Sequence, residues 1–247
     1  MNLRNLHIVI ALFLLVLPKT VDAALISEFE PNPAGFDSEL QFVEFSGVMG
    51  SSFSGVLLGI GGETGRIGRI DYAANVSGVF DANGLLTAQV GDLFAPTLTV
   101  VLAESFSGIV GQSDIDLDDD GVADNLSIVG GIHDAIGIPD NLAGESFLYG
   151  SQLGGQNFGF TGDEPELVFR DASVGQWYAI NDVNGSDVFG IDGQKIANQG
   201  AFNRNPFQPS FGQTNPSITA IPEPSLTLIT SLSLSYFCLG IRRRKRN

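Results

Sequence analysis

The stretch Gln41-Phe42-Val43-Glu44-Phe45 decides the fold class of this chain. In an extended backbone, successive side chains point to opposite faces. Phe42 and Glu44 therefore share one face, and Val43 and Phe45 share the other. The segment predicts a β-strand with two faces of different character.

The run before it, residues 25–29 (LISEF), has the same extended character and is closed by Pro31-Asn32-Pro33. Proline cannot donate to a sheet, so Pro31 and Pro33 stop this strand, and Asn32 starts a turn.

Short apolar runs of this kind recur along the chain, with Gly, Asp or Asn between them. They are rich in Val, Ile, Phe and Tyr, which favour strands. No long stretch keeps a 3.6-residue apolar period, which argues against a helical bundle. The pattern predicts an all-β fold made of two packed sheets. The runs are residues 41–45, 56–60, 98–102, 146–149, 167–170 and 176–180.

Residues 25–33 (LISEFEPNP), followed by residues 41–45, resemble the opening of lamin-tail-type domains. Residues 65–71 (GRIGRID) and 83–86 (NGLL) are similar to the bacterial branch of that family. Phe42 stands where the family usually has Trp in the second strand.

This resemblance implies an immunoglobulin-like, lamin-tail-like β sandwich with long loops, which we assign to residues 24–215. Residues 199–216 are expected to be an irregular closing stretch or a linker. A fold of this kind does not by itself name a function.

Residues 1–23 predict a secretory signal peptide. Arg4 gives a positive start, residues 8–17 form an apolar helical core, and Val21-Asp22-Ala23 is suited to signal peptidase. The apolar core is too short to cross a ~30 Å hydrocarbon layer. We expect export through the inner membrane and removal of the signal; an uncleaved anchor is the alternative.

The last residues, 216–247, are predicted to be a linker and a membrane tail. Ile221-Pro222-Glu223-Pro224 precedes seventeen uncharged residues, 225–241, and then the basic run 242–246. Seventeen residues is about the lower limit for a single transmembrane helix, and the cations fix that end on the cytoplasmic side. A buried globular helix is the alternative.

This order of features resembles the PEP-CTERM sorting tail, which an exosortase recognises in Gram-negative bacteria that make extracellular polysaccharide. The resemblance implies a helix that is only transiently in the inner membrane, and a mature protein in the periplasm, at the cell surface or in the extracellular matrix. The sorting motif would comprise Pro222, Glu223, Pro224, Arg242, Arg243 and Arg244.

The region between the two ends is strongly acidic. Residues 24–220 hold 26 of the 28 acidic residues and five of the twelve Lys and Arg, a net charge of about −21. Such a surface argues against nucleic-acid binding and favours divalent cations. Cys238, the single cysteine, lies in the predicted tail helix, so no disulfide can form within the domain. It is a lipidation site or a spectator thiol.

Residues 114–125 (DIDLDDDGVADN) carry the best chemical motif. Read from Asp116 it is D-x-D-x-D-G-x-x-D, in which alternate oxygens can wrap a hard cation around the turn at Gly121. Ser127 stands where an EF-hand has its bidentate Glu, so the motif resembles the shorter calcium loops of secreted repeat and dockerin-like proteins. We predict a structural Ca²⁺ site, with an acidic solvated turn as the alternative. The predicted ligands are Asp116, Asp118, Asp120, the Val122 carbonyl and Asp124.

Catalytic motifs are scarce. After signal removal the chain keeps one histidine, His133, with no nucleophile elbow near it. Trp177 with Tyr178 is a core aromatic pair or a sugar-stacking platform. We expect a non-enzymatic protein, with extracellular polysaccharide and other surface proteins as candidate ligands. The alternative is a secreted polysaccharide hydrolase acting through a carboxylate pair, which no motif singles out.

Overall fold

The computed structural model describes residues 24–33, 39–93, 97–140, 147–159, 164–181, 187–196 and 199–218. The predicted signal peptide, residues 1–23, lies outside the described residues, and so does the sorting tail from residue 219 onward. Within the described ranges, no helix is long and apolar enough to cross a bilayer.

The described chain folds into eleven β-strands and two short 3-10 helices, Leu126–Ile128 and Gln199–Ala201. This confirms the all-β prediction. The strands are β1 (Leu25–Phe29), β2 (Leu40–Ser46), β3 (Ser52–Gly61), β4 (Ile70–Val79), β5 (Leu85–Gly91), β6 (Leu98–Ala103), β7 (Ile132–Ile138), β8 (Gln156–Asn157), β9 (Leu167–Arg170), β10 (Trp177–Ile180) and β11 (Val188–Gly190).

The strands form two sheets, as a sandwich requires. Sheet A has the order β11-β10-β9-β1-β2-β5, and sheet B has the order β4-β3-β6-β7-β8. Strand pairs are antiparallel except β7 with β8. β1 and β2 pair with each other, with Phe29 opposite Val43. Val43 and Phe45, which the alternation of β2 predicts to share one face, are both fully buried in the main apolar core.

Both outer faces of the sandwich are also covered. Outside sheet B, Leu58 and Val101 pack with Ile115 and Tyr149 from two long loops. Outside sheet A, residues 199–218 pack Phe202 against Phe169 and Tyr178. Central strands such as β6, buried at every position, therefore meet apolar neighbours on both sides.

One predicted strand is wrong in its described part. Residues 147–149 make no strand pairing and lead into a turn. Tyr149 is fully buried in the cluster outside sheet B, and its backbone N–H donates to Thr99 Oγ1 at 3.0 Å. An apolar run that caps a sheet has the same composition as one that pairs within it.

Candidate metal centre

Residues 114–125, the acidic loop, lie in the connection between β6 and β7, on the outer face of sheet B. Ile115 anchors the loop because its side chain is fully buried in the apolar cluster there. Its N–H donates to the Gly68 carbonyl, and its carbonyl accepts from the N–H groups of Asp124 and Asn125 at 2.8 and 3.0 Å. The acidic residues are thus held as a closed turn on a rigid base.

Three of the predicted ligands converge within this turn. Asp116, Asp118 and Asp120 each place one carboxylate oxygen within 4.8 Å of the other two. Asp116 is fully buried, whereas the other two face solvent. Gly121 takes a positive φ of 85°, which lets the chain turn sharply after Asp120. Three clustered carboxylate oxygens could hold a metal ion.

Asp116 is oriented by three hydrogen bonds. Its Oδ1 accepts from the Asp120 N–H at 3.1 Å, and its Oδ2 accepts from the Gly121 N–H at 2.7 Å. The Tyr149 hydroxyl donates to the same Oδ2 at 2.8 Å. Burial, together with this bond to Asp116, raises the pKa of Tyr149, so its hydroxyl stays a neutral donor. The carboxylate at the start of the loop is fixed in direction before any ion arrives.

Two further predicted ligands lie in the same turn. The Asp124 Oδ1 accepts from the Leu117 N–H at 3.3 Å across the loop. The Val122 N–H donates to Asp120 Oδ1 at 2.9 Å. Asp124 is not one of the three clustered carboxylates, and the roles of the Val122 carbonyl and Asp124 as ligands stay predictions.

The acidic loop brings several negatively charged side chains close together, and they repel each other. The pKa of Asp118 is raised chiefly by the charge of Asp120, with smaller effects from burial and other loop acids. The pKa of Asp114 is raised chiefly by burial, and nearby Asp119 and Asp116 add to the effect. A bound cation would relieve this repulsion.

Sequence reasoning missed the residues that support the loop from outside. Gln152 holds both sides of the turn: its Nε2 donates to the Gly121 carbonyl at 2.8 Å, and its Oε1 accepts from the Ala123 N–H at 2.9 Å. Tyr149 lies 33 residues from Asp116 in sequence. Neither residue belongs to a local motif, so only tertiary structure reveals its role.

Other predicted chemistry lies elsewhere. His133 packs edge-on against Phe53, with 5.6 Å between ring centroids. Trp177 is 1% exposed and sits in the main core beneath the Arg170 guanidinium, 4.3 Å from the ring centroid. It is a core aromatic, and the alternative of a sugar-stacking surface is wrong.

The carboxyls with the most clearly raised pKa values are Glu28 and Glu44. Burial is the main cause, and it raises each pKa to about 7. Both side chains are fully buried beneath residues 199–218 rather than in an open cleft.

An open cleft of about 270 Å³ lies between the start of β1 and the turn after β9. Arg170, Asp171 and Asn215 are among its lining residues. Burial alone would raise the pKa of Asp171, but hydrogen bonds from Ser173, Ile218 and Val174 outweigh burial and lower it. The Asp171 carboxylate thus accepts hydrogen bonds from N–H and O–H groups of neighbouring residues.

No protein-family model matches this chain, and no curated protein or solved structure matches it either. The lamin-tail and sorting-tail resemblances stay predictions.

Proposed function

We propose that this chain is an exported, non-enzymatic protein of the cell surface or extracellular matrix, whose sandwich is stabilised by Ca²⁺ in the acidic loop. The observation that carries the proposal is the convergence of Asp116, Asp118 and Asp120 on one point of a closed turn. The lamin-tail type of sandwich and sorting by an exosortase belong to the same proposal.

Calcium suits this turn better than other common ions. The clustered donors are all carboxylate oxygens, which hard cations prefer over the nitrogen and sulfur ligands of zinc. Two of the three acids are exposed, so water can complete the coordination sphere that the Val122 carbonyl and Asp124 would extend. Extracellular calcium is abundant enough to fill a weak site, at Kd values of roughly 10⁻⁴–10⁻³ M.

A structural ion also fits the architecture. The acidic loop rests on Ile115, whose side chain covers the outer face of sheet B. An ion that fixes the loop would therefore stabilise the apolar layer beneath it. Residues 24–220 contain no cysteine. Metal binding would therefore hold the long loop in place, as disulfides do in many secreted domains.

The buried position of the acids with raised pKa values supports a non-enzymatic role. A two-carboxylate hydrolase needs both groups at an open cleft that admits a sugar chain. Glu28 and Glu44, the pair with pKa values of about 7, are instead sealed under residues 199–218. The strongly acidic surface supports a different use, in which calcium bridges the protein to anionic polysaccharide.

The calcium proposal is tested by thermal unfolding of the purified full chain in millimolar CaCl₂ and in excess chelator. We expect calcium to raise the melting temperature by several degrees and magnesium to do so less. The matched control is Glu104→Gln, which removes an exposed acid outside the loop and should keep the calcium response. An identical melting temperature with and without chelator would rule out a stabilising ion.

The sorting proposal is tested by fractionating cells that express the full chain or a chain without residues 221–247. We expect the full chain to reach the surface or matrix, and the truncated chain to be lost from that fraction. Changing Arg242, Arg243 and Arg244 to Ala should trap an intermediate form. Equal surface retention of full and truncated chains would contradict sorting by the tail.

A further inference from the structure

Residues 199–218, here called the strap, form a loop closed at its base. Phe202 and Ile218 pair as an isolated β-bridge. Beside them, the Asn203 N–H donates to the Ser217 carbonyl at 2.9 Å, and the Ser217 N–H donates to Asn203 Oδ1 at 3.0 Å. These contacts close the base of the strap, and Asn215 and Ile218 tie the same end to Ser27 and Asp171.

The tip of the strap lies on two buried acids. Glu28 in β1 and Glu44 in β2 are directly opposite each other in the sheet, and both are fully buried. Glu28 accepts from the Ser210 N–H at 2.8 Å and from the Ser210 hydroxyl at 2.9 Å. Glu44 Oε2 accepts from the Gly212 N–H at 2.6 Å. These bonds tie the strap to sheet A across more than 160 residues of sequence.

The fit is incomplete in one respect. Glu44 Oε1 is buried and has no hydrogen-bond partner among the described residues. A buried carboxylate oxygen without a donor is costly when charged, whereas the protonated carboxyl carries no charge to solvate. The site therefore favours a pair that holds at least one proton.

We propose that Glu28 and Glu44 form a protonation-controlled latch, which holds the strap on sheet A while the pair keeps a proton and releases the strap when both carboxyls ionise. Two carboxylates on facing positions of adjacent strands repel each other, and burial strengthens that repulsion.

Burial and neighbouring acidic groups both raise the pKa values of Glu28 and Glu44. Burial is the largest cause that raises the pKa of each carboxyl. Hydrogen bonds from the strap, and for Glu44 also from the Ser27 and Thr87 side chains, lower the pKa only in part. Glu30 adds to the rise for Glu28, and Asp81 adds to the rise for Glu44. The charge of Glu44 also raises the pKa of Glu28, and each carboxyl has a pKa of about 7.

The cations of the adjoining elements are engaged elsewhere. On β9, the Arg170 side chain pairs with Asp134 at 2.6 Å. In the strap, Arg204 donates to the Thr214 carbonyl. Neither is a hydrogen-bond partner of Glu28 or Glu44, so ionisation of the pair is not offset by a direct ion pair.

The consequence for the C-terminal tail rests on the proposed sorting function. Pro222 is four positions after Ile218 in the sequence, and a chain of four residues reaches at most about 14 Å. Release of residues 199–218 adds twenty residues to that tether, with a root-mean-square length of about 25 Å for a flexible chain. A released strap would give a membrane-bound processing enzyme room to reach the Pro-Glu-Pro segment beside a bulky sandwich.

The latch is tested by amide hydrogen exchange on the purified full chain between about pH 5 and pH 8, corrected for the intrinsic pH dependence of exchange. We expect protection of the Ser210 and Gly212 amides to fall on the order of tenfold or more as pH rises. Protection of the Val100 amide, in the core strand β6, should fall much less. An equal fall at Val100 would mean global unfolding and would overturn the latch.

Glu28→Gln/Glu44→Gln is the matched variant, because it keeps the shape of the side chains and removes their ionisation. Its strap protection should stay flat with pH. A slope equal to that of the unmodified chain, or no pH dependence in the unmodified chain, would overturn the proposal. Should the double variant fail to fold, the pH series of the unmodified chain and of Glu44→Gln alone still decide the matter. Equal surface retention of the full chain and the chain without residues 221–247, together with strap protection that still falls as pH rises, would count against the sorting function and leave the latch standing.

Discussion

The Tyr149 hydroxyl donates a 2.8 Å hydrogen bond to Asp116 Oδ2 and joins the acidic loop to a second loop 33 residues further along the chain. Both residues are fully buried. The first carboxylate of the candidate metal centre is therefore part of the apolar layer outside sheet B, while its partners Asp118 and Asp120 face solvent.

Tyr149→Phe should destabilise the protein and weaken its response to calcium. The change removes one donor from a buried carboxylate, and a hydrogen bond to a charged group contributes roughly 1.5–3 kcal/mol. Urea unfolding in calcium and in chelator measures both effects. Tyr178→Phe is the control, because the Tyr178 hydroxyl makes only a long, 3.4 Å contact with Gln176, the residue before β10. A calcium response in Tyr149→Phe equal to that of the Tyr178 variant would show that Asp116 needs no such support.

Asp118→Asn should change stability in opposite directions with and without calcium. Without the ion, the change relieves repulsion from Asp120, the main cause of the raised pKa of Asp118, so the variant should be at least as stable as the unmodified chain. With calcium, it loses a ligand and should melt at a lower temperature. Differential scanning calorimetry under both conditions tests this reversal. A variant less stable in both conditions by equal amounts would contradict a metal ligand at this position.

Much of the fold could be predicted from local patterns. The alternation of Val43 and Phe45 against Phe42 and Glu44 correctly predicts which side chains of β2 share a face, because the side-chain period of a strand is fixed by backbone geometry. What the pattern does not predict is the burial of Glu44. That burial comes from residues 199–218, whose irregular composition resembles a linker and carries no periodic signal.

The candidate metal centre also has one part that the local sequence predicts and one part that it does not. The spacing of Asp116, Asp118 and Asp120 around Gly121 predicts their convergence because a short turn with a positive-φ glycine is a local structure. The supports of that turn, Tyr149 and Gln152, are brought to it by the tertiary fold. A single sequence gives no spacing rule for contacts of this range.

The stability of the protein should fall between about pH 5 and pH 8 through Glu28 and Glu44. Each has a folded-state pKa of about 7 against an ordinary value of 4.5. The folded protein therefore binds more protons than the unfolded chain in this range, so the stabilising effect is full below 4.5 and is lost as pH rises through 7. We expect a loss on the order of 2 kcal/mol per carboxyl in the free energy of unfolding.

Urea titrations across this pH range measure that loss, with Glu28→Gln/Glu44→Gln as the comparison. The variant should have a flatter profile and be the more stable of the two at high pH. A parallel profile in both proteins would assign the pH dependence to other groups, of which buried Asp134 is one whose pKa is also raised by burial.

Arg170→Met should destabilise the sandwich by about 3 kcal/mol, because breaking a buried ion pair leaves one charge without its partner. Arg170 joins the two sheets: its Nη2 pairs with Asp134 of β7 at 2.6 Å, and its Nε donates to the Ile26 carbonyl at 3.1 Å. Arg204→Met, an exposed strap position, should cost less than about 1 kcal/mol. Chemical denaturation compares them, and partial recovery in Arg170→Met/Asp134→Asn would identify the unpaired carboxylate as the cause.

Gly68→Ala should damage the metal centre although Gly68 is not a ligand. Its φ is +69°, and an added Cβ would touch Asp114 Oδ1 and lie 2.7 Å from the Asp116 backbone N. Gly65 is the matched control, because it has a φ of +83° and open space around its Cβ position. In both variants an alanine in the left-handed region lowers the free energy of unfolding by about 1 kcal/mol. This loss is therefore the same in the two proteins and does not affect their comparison. Only Gly68→Ala pushes the acidic loop away from its base, and it should therefore bind calcium more weakly than Gly65→Ala in a calorimetric titration. Equal calcium affinities would mean that the loop holds its shape without the turn at Gly68.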